Sequence, residues 1–257
     1  MKIVTLLENT SSDPNLTGEH GLSLYLQTQD YKILFDMGQS DAFARNAEKL
    51  GIDLAQVDFA VLSHGHYDHG GGLQTFLQRN THAPVYIHKT AFGAYYNGTE
   101  KYIGLDRALQ SEPRLIFTEG TVSITPQIQL LDYNHLQWKQ NPFGLKCREQ
   151  NQFCPDDFRH EQYLRITEGQ KQILISGCSH KGIVNIAEYF CPHVLIGGFH
   201  QSKEEDTETL QSIANRLLSV NACYYTGHCT GSKQFACMKE IMGKNLQTLS
   251  TGTVIEI

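Results

Sequence analysis

The pattern of apolar and polar positions divides the chain into two halves that both combine strands with helices. In the first half, apolar runs predict strands at 2–7, 22–28, 31–37 and 57–62. The spacing of Phe43, Ala47 and Leu50 predicts a helix at 41–50, with Gly51 at its end. The last of these strands runs directly into a segment rich in histidine.

The second half repeats this arrangement. Two apolar runs around the turn Glu168-Gly169-Gln170 predict a hairpin at 163–176. Beyond it, the pattern predicts helices at 183–190, 204–220 and 232–242, and strands at 193–197, 222–226 and 253–257. Strands followed by β/α alternation in both halves favour an α/β (α+β) fold in which two sheets pack face to face, with helices outside.

The chain of 257 residues has the length of one sizeable domain. No low-complexity tract or Gly/Ser linker divides it, so we predict a single domain over 1–257. Residues 89–160 are rich in turns and aromatic side chains, as a lid-like insertion over a site would be.

Composition narrows the classes of function. A net charge of −6 argues against a nucleic-acid-binding surface, which is normally basic. No apolar stretch is long enough to span a bilayer, and residues 1–10 lack the features of a signal peptide. The seven cysteines are an odd number without a C-x-x-C pair. We therefore expect a cytoplasmic protein with reduced thiols that binds a small-molecule substrate and neither nucleic acid nor membrane.

The strongest chemical signal follows the strand at 57–62. His64, His66, Asp68 and His69 lie within six residues, in the pattern H-x-H-x-D-H. Imidazole and carboxylate groups are the ligands of zinc, iron and manganese in proteins. Gly65 and the glycines at 70–72 allow the tight turn that so many ligands in one short segment require. This segment predicts a metal site.

Three further segments have the same design, a strand followed by a small residue and then a histidine. They are Gly177-Cys178-Ser179-His180, Gly197-Gly198-Phe199-His200 and Gly227-His228-Cys229. A structural loop histidine is an equally good interpretation of any one of them. Three together, beside the H-x-H-x-D-H segment, favour a common site.

The sequence resembles the metallo-β-lactamase superfamily over essentially its whole length, which implies an αββα four-layer sandwich. At finer grain it is similar to the branch of metal-dependent hydrolases that contains the archaeal dihydropterin aminobenzene-phosphate synthases. The residues that carry this resemblance are EHGLS at 19–23, LSHGHYDH at 62–69, SGCSH at 176–180, GGFH at 197–200 and YTGHCTG at 225–231.

The resemblance implies two divalent metals, zinc first, with iron or manganese as alternatives. His64 and His66 would bind one metal, and Asp68, His69 and His228 the other. His160 stands where the superfamily usually has a further ligand, before the hairpin. Many relatives next have an Asp that bridges both metals, whereas this chain has Cys178, with His180 two residues later. Either of these two residues is a candidate ligand.

Such a site implies a hydrolase that activates water. Asp68 is the candidate to orient the water or take its proton, and His200 to act on the leaving group. His20 and Glu19 are candidates for substrate binding. A phosphoester or related small ester, with a possible pterin relation, is the expected substrate. The alternatives are a lactone or thioester hydrolase and a non-catalytic metal or ligand sensor on the same fold.

Two sets of residues would favour particular substrates. Cations near the site would suit a phosphate group, and the candidates are Lys89, Lys101, Arg107 and Lys181. Aromatic surfaces would stack on a pterin, and the candidates are Tyr95, Tyr96, Tyr102 and Trp138. The plainer interpretations are that the cations are solvated on the surface and that the aromatic residues form a local core.

Overall fold

The computed structural model describes residues 1–136 and 143–257. In these residues, strands outnumber helices. The strands are β1 (Lys2–Leu7), β2 (Ser23–Gln27), β3 (Lys32–Phe35), β4 (Phe59–Val61), β5 (Val85–His88), β6 (Tyr95–Asn97), β7 (Lys101–Tyr102), β8 (Leu115–Thr118), β9 (Thr121–Ser123), β10 (Ile128–Leu131), β11 (Leu145–Glu149), β12 (Gln152–Pro155), β13 (Tyr163–Glu168), β14 (Lys171–Ile175), β15 (Val194–Ile196), β16 (Cys223–Thr226), β17 (Leu246–Thr248) and β18 (Val254–Glu256). The helices are α1 (Ala42–Lys49), α2 (Tyr67–Gly70), α3 (Leu73–Arg79), α4 (Ile183–Phe190), α5 (Thr207–Ser219) and α6 (Ser232–Met242).

These strands form three sheets. Two have seven strands each, in the orders β18-β1-β2-β3-β4-β5-β8 and β17-β16-β15-β14-β13-β10-β9. The third is smaller, in the order β12-β11-β6-β7. Strands β3, β4, β5 and β8 are mutually parallel, as are β14, β15, β16 and β17. Each large sheet therefore collects the carboxyl ends of several strands at one edge.

Four layers result from the packing of these sheets and helices. One core lies between the two large sheets and includes Ile33, Phe35 and Ile173. Leu34, between the first two in sequence, instead packs in a second core with side chains of α1 and α3. A third core joins the other large sheet to α4, α5 and α6. Because β3 is covered on both faces, its sequence is a continuous apolar run rather than an alternating one.

The αββα sandwich expected from the sequence is thus confirmed. The predicted helices at 183–190 and 232–242 have the bounds of α4 and α6, and those at 41–50 and 204–220 contain α1 and α5. The interval 89–160 contributes to all three sheets: β6, β7, β11 and β12 make the small sheet, whereas β8, β9 and β10 extend the large ones. Within the described residues, no helix is long and apolar enough to cross a membrane.

Candidate metal centre

The predicted ligands come from loops at the carboxyl ends of β4, β14 and β16. His64 and His66 follow β4, and Asp68 and His69 lie in α2. The remaining loop residues are Cys178 and His180 after β14 and His228 after β16. All seven side chains are buried. The parallel strands explain this convergence, because their carboxyl ends lie at one edge of each sheet.

Cys178 lies between two groups of histidines. One group is His64, Cys178 and His180, and the other is His69, Cys178 and His228, each with its ligand atoms within 4.8 Å of one another. His69 Nε2 lies 3.1 Å from Cys178 Sγ and 3.1 Å from His228 Nε2. In the other group, His64 Nε2 lies 3.2 Å from His180 Nε2. Cys178 is thus placed to bind in both groups.

In three of these histidines, Nδ1, the ring nitrogen that does not face the other ligands, contacts another protein group. Asp36 Oδ2 lies 2.6 Å from His69 Nδ1. The Ser63 hydroxyl donates to Asp36 Oδ2 and, in turn, lies 2.8 Å from His64 Nδ1. Asn9 Oδ1 lies 2.9 Å from His228 Nδ1. With Nδ1 as the donor, each of these imidazoles in its neutral form would present an Nε2 lone pair to a neighbouring ring at close range.

Lone pairs at such distances repel unless a cation lies between them, and ligand histidines are commonly oriented through their second nitrogen in this way. Sequence patterns did not indicate Asp36, Ser63 or Asn9 as parts of the site. Ser63 adjoins the histidine segment, but the contribution of Asp36 and Asn9 depends on contacts across 33 and 219 residues of chain.

His160, the remaining predicted histidine ligand, is not in either group that contains Cys178; it forms a separate group of possible ligands with His66 and Asp156. Its Nδ1 accepts a hydrogen bond from the backbone N–H of Gly65 at 2.9 Å. Its Nε2 lies 3.1 Å from Asp156 Oδ2. The ring also packs on Tyr95, with 3.9 Å between centroids. Both ring nitrogens of His160 therefore have protein partners, unlike those of His180.

The predicted catalytic and substrate-binding residues differ in where they lie. Asp68 Oδ2 lies 3.2 Å from His20 Nε2 and 3.3 Å from His228 Nε2. His200 lies beside His180, with 4.2 Å between ring centroids. Glu19 instead accepts a hydrogen bond from the Ser40 hydroxyl at 2.6 Å. Of these residues, Asp68, His20 and His200 line the central cavity in the described chain, and Glu19 does not.

Burial controls the charge of several histidines. It lowers the pKa of His64 and of His180 well below the ordinary value, and neighbouring histidines add to this effect. Burial also lowers the pKa of His66. These rings are neutral at neutral pH, which is the form that binds metal.

Charged neighbours, including two carboxylates, shift the pKa values of other residues in the centre. Burial disfavours a charge on His69, but Asp36 and Asp68 reverse this and raise its pKa to about 9. Burial would likewise raise the pKa of Asp68, yet His69, His20 and His228 hold it well below its usual range. For Cys178, burial raises the pKa of the thiol. A bound cation would favour its thiolate form.

Unpartnered nitrogen atoms give a direct test of whether the residues fit a metal. Buried polar atoms are almost always hydrogen-bonded, and exceptions need a physical reason. His66 Nε2, His180 Nδ1 and both ring nitrogens of His200 are buried without a hydrogen-bond partner among the described residues. Together with the two groups that meet at Cys178, this set of nitrogen, sulfur and oxygen donors fits divalent metal ions such as zinc.

A cavity of about 350 Å³ opens onto this centre, and Tyr67 is its one aromatic residue other than histidine in the described chain. Two tyrosines considered for stacking, Tyr96 and Tyr102, line a different cavity on the small sheet. Tyr95 donates a hydrogen bond to the Thr90 carbonyl and packs on His160. Trp138, the fourth aromatic candidate, lies outside the described residues.

Two large sheets between helices, with a histidine-rich centre at their edge, define an αββα protein with groups of side chains that could hold metal ions. Comparison with known proteins agrees: the family model of the metallo-beta-lactamase superfamily matches residues 16–136. The chain therefore resembles this superfamily in its sequence over that range and in its fold, and members of the superfamily are mostly metal-dependent hydrolases.

Three relatives match it over nearly their whole lengths. The solved structure of Tm1679, described as a metal-dependent hydrolase of the beta-lactamase superfamily, is 28% identical, with a TM-score of 0.84 over 100% of this chain and 99% of its own. The uncharacterised protein MJ0448 of Methanocaldococcus jannaschii is 28% identical over 93% of this chain and 94% of its own. A 7,8-dihydropterin-6-methyl-4-(beta-D-ribofuranosyl)-aminobenzene-5'-phosphate synthase of the same organism is 26% identical over 100% of this chain and 96% of its own.

Proposed function

We propose that this protein is a hydrolase that uses two divalent metals, zinc in the first place, to cleave a phosphoester of a small molecule. The observation that carries the proposal is the position of Cys178 between the pair His64 and His180 and the pair His69 and His228. A single metal would use one of these groups, whereas two metals would use both, with Cys178 as a candidate ligand in each.

The ligands divide between the two positions. His64, His66 and His180 would hold the first metal, and Asp68, His69 and His228 the second, with Cys178 between them. We assign His180 rather than His160 to the first, because His180 Nε2 faces His64 Nε2 whereas both nitrogens of His160 already have protein partners. Divalent metals in such a centre supply Lewis acidity, which lowers the pKa of a water molecule and stabilises charge on the attacked group.

The chain's own side chains would direct the proton transfers. Asp68 contacts both His20 and His228, so its carboxylate is held in place to orient the attacking water and accept its proton. The water oxygen bonds to phosphorus while the bond to the leaving oxygen breaks. His200, whose two nitrogens have no partner in the described chain, would give that oxygen a proton. His20, about half exposed at the cavity, would contact the substrate.

The phosphoester is preferred over a lactone or thioester for two reasons. The lining of the cavity includes lysine ammonium groups, which suit a phosphate. One relative is named as a synthase of a pterin compound that carries a 5'-phosphate. A pterin-related phosphoester is therefore the specific substrate class that we propose.

Elemental analysis combined with a hydrolysis screen tests the function. The screen uses bis-p-nitrophenyl phosphate, a phosphomonoester and a lactone, with and without added zinc, iron or manganese. We expect about two equivalents of metal and metal-dependent turnover of a phosphoester. Preferred turnover of the lactone would change the substrate class, and tight metal binding without any turnover would favour a sensor.

Single substitutions test the ligand assignment. His64→Ala and Cys178→Ala should lower turnover by roughly 100-fold or more, because loss of a ligand is more severe than loss of a group that orients one. His82→Ala, at an exposed histidine that does not line the cavity, is the matched control. If His160→Ala released as much metal as His64→Ala while His180→Ala released none, the choice of His180 would be wrong.

A further inference from the structure

Two lysines line the cavity above the candidate metal centre. Lys101 lies in β7 of the small sheet, and Lys203 lies in the loop three residues after His200. Asp68 is the one carboxylate that lines this cavity in the described chain. The cavity wall is therefore cationic, although the whole chain carries a net charge of −6. A local charge opposite to the overall one favours an anionic ligand.

Neither lysine is neutralised by a carboxylate. Lys101 Nζ lies 3.4 Å from the Tyr67 hydroxyl and 5.2 Å from the centre of its ring. Lys203 Nζ donates to the Phe143 carbonyl at 3.0 Å. In the part of the chain that the structure describes, no Asp or Glu oxygen lies within 4.0 Å of either ammonium. These partners are neutral, so both positive charges remain available to a ligand.

The other cations suggested by the sequence lie in different settings. Lys89 forms an ion pair of 2.5 Å with Glu119. Lys181 is buried, and its Nζ donates to the side chain of Asn134 and to the carbonyls of Asp132 and Glu161. Arg107 lines the separate cavity on the small sheet. Lys101 is the only one of the four that lines the cavity of the centre.

A neutral hydrogen-bonding side chain accompanies each lysine. Asn97 is directly opposite Lys101 in the β6–β7 hairpin, and both line the cavity. Ser202 precedes Lys203 and also lines it. Each lysine thus has an amide or a hydroxyl as its neighbour in the cavity lining, and such donors bind phosphate oxygens.

We propose, on the basis of the function proposed above, that the substrate carries a second phosphate group away from the bond that is cleaved, and that Lys101 and Lys203 bind it. The candidate ligands are buried, whereas both lysines are exposed, so one end of the substrate meets the metals and the other meets the lysines. Two ammonium charges match a phosphomonoester, which carries about −1.5 to −2 at neutral pH. A single carboxylate carries only half of that charge.

A matched pair of substrates tests this proposal. Thymidine 5'-(p-nitrophenyl phosphate) and its 3'-phosphorylated counterpart have the same bond to be cleaved and release the same leaving group, p-nitrophenol, but only the second carries a remote phosphate. We expect the metal-loaded protein to have the higher kcat/KM on the second. Lys101→Gln and Lys203→Gln should each lower the ratio of the two kcat/KM values by about tenfold, mainly through KM.

Lys171→Gln is the control, because Lys171 is exposed on the β13–β14 hairpin and does not line the cavity. If both lysine variants lost activity equally on the two substrates, the lysines would not recognise the remote phosphate. If the wild-type protein cleaved neither substrate, the hydrolase proposal would fail instead. Calorimetric binding of thymidine 3',5'-bisphosphate then decides the role of the lysines: affinity about tenfold weaker in the variants supports it, and equal affinity overturns it.

Discussion

Asp36 connects two of the candidate ligands through a single carboxylate. It follows β3 with a left-handed backbone, at φ +58°. Its Oδ2 lies 2.6 Å from His69 Nδ1 and accepts from the Ser63 hydroxyl, which contacts His64. Its Oδ1 accepts from the Ser63 backbone N–H at 2.7 Å. One buried acid therefore orients a histidine in each of the two metal groups.

Asp36→Asn should weaken metal binding by about 10- to 100-fold. Both oxygens of the Asp36 carboxylate accept hydrogen bonds, and the amide nitrogen of Asn cannot accept one. Competition with a chromogenic chelator measures this affinity. Asp30→Asn, at an exposed turn, is the control and should bind metal as the wild type does. Equal affinities in all three proteins would show that Asp36 does not orient the ligands.

Asp132 makes a pH-dependent contribution to stability at a distance from the centre. Burial would raise the pKa of its carboxyl group, but hydrogen bonds from His88 and from the backbone N–H groups of Asn134 and Gly120 hold it below its usual range. A lowered pKa in the folded state stabilises the protein above the unfolded-state pKa of about 3.9. This stabilisation is lost as the pH falls toward the folded-state pKa.

Asp132→Asn should therefore cost about 1.5–3 kcal/mol of unfolding free energy at pH 6, the range for hydrogen bonds to a charged group. The difference from the wild type should shrink as the pH falls below about 4. Urea unfolding followed by tyrosine and tryptophan fluorescence measures both curves. Parallel curves from pH 6 to pH 3 would contradict this prediction.

At the scale of elements, α5 shows how a helix start is determined. Asp206 precedes it, and its side chain accepts hydrogen bonds from the backbone N–H groups of Glu208 and Thr209. Leu210, Ala214 and Leu217 are buried on one face, at helical spacing. The sequence pattern placed the start near 204 because Glu204 and Glu205 are compatible with a helix. The cap places it at Thr207.

Asp206→Ala should lower the unfolding free energy, since two N–H groups of the first turn lose their acceptor. Chemical denaturation measures the change. Glu205→Ala, at the exposed neighbouring position, removes a carboxylate without removing the cap. The cap would have no energetic role if these two variants were equally stable.

At the scale of the whole molecule, the candidate centre joins the two large sheets. The segment with His64, His66 and Asp68 follows β4 of one sheet, whereas Cys178 and His228 follow β14 and β16 of the other. Metals bound between these segments would therefore link the two halves of the sandwich. Binding to the folded state alone raises its stability.

Removal of metal by a chelator should accordingly lower the melting temperature by about 5–10 °C when the reference sample has metal at about 100 times its Kd. Differential scanning calorimetry of both samples measures the shift. Cys178→Ala should show a smaller shift, because the ligand between the two groups is missing. A wild-type melting temperature that does not respond to metal would argue against this link.

Much of the architecture follows from local pattern. The amphipathic helices α1, α4, α5 and α6 were predictable, because burial on one face requires apolar residues at helical spacing. The H-x-H-x-D-H segment was visible because its ligands lie close together in sequence. The helices α2 and α3 were not predicted: both begin among the glycines and histidines of that segment, where composition favours a loop.

The sequence by itself therefore determined the layers of the fold, the resemblance to the superfamily and the segments that hold the candidate ligands. Only the tertiary structure showed that Cys178 lies between two histidine groups, that Asp36 and Asn9 orient their rings, and that both nitrogens of His160 have protein partners. The tertiary structure likewise showed that Lys203 and Lys101 line the same cavity. The physical reason is that periodicity reports the contacts of one element with the core. The pairing of side chains from distant strands depends on how all the elements pack.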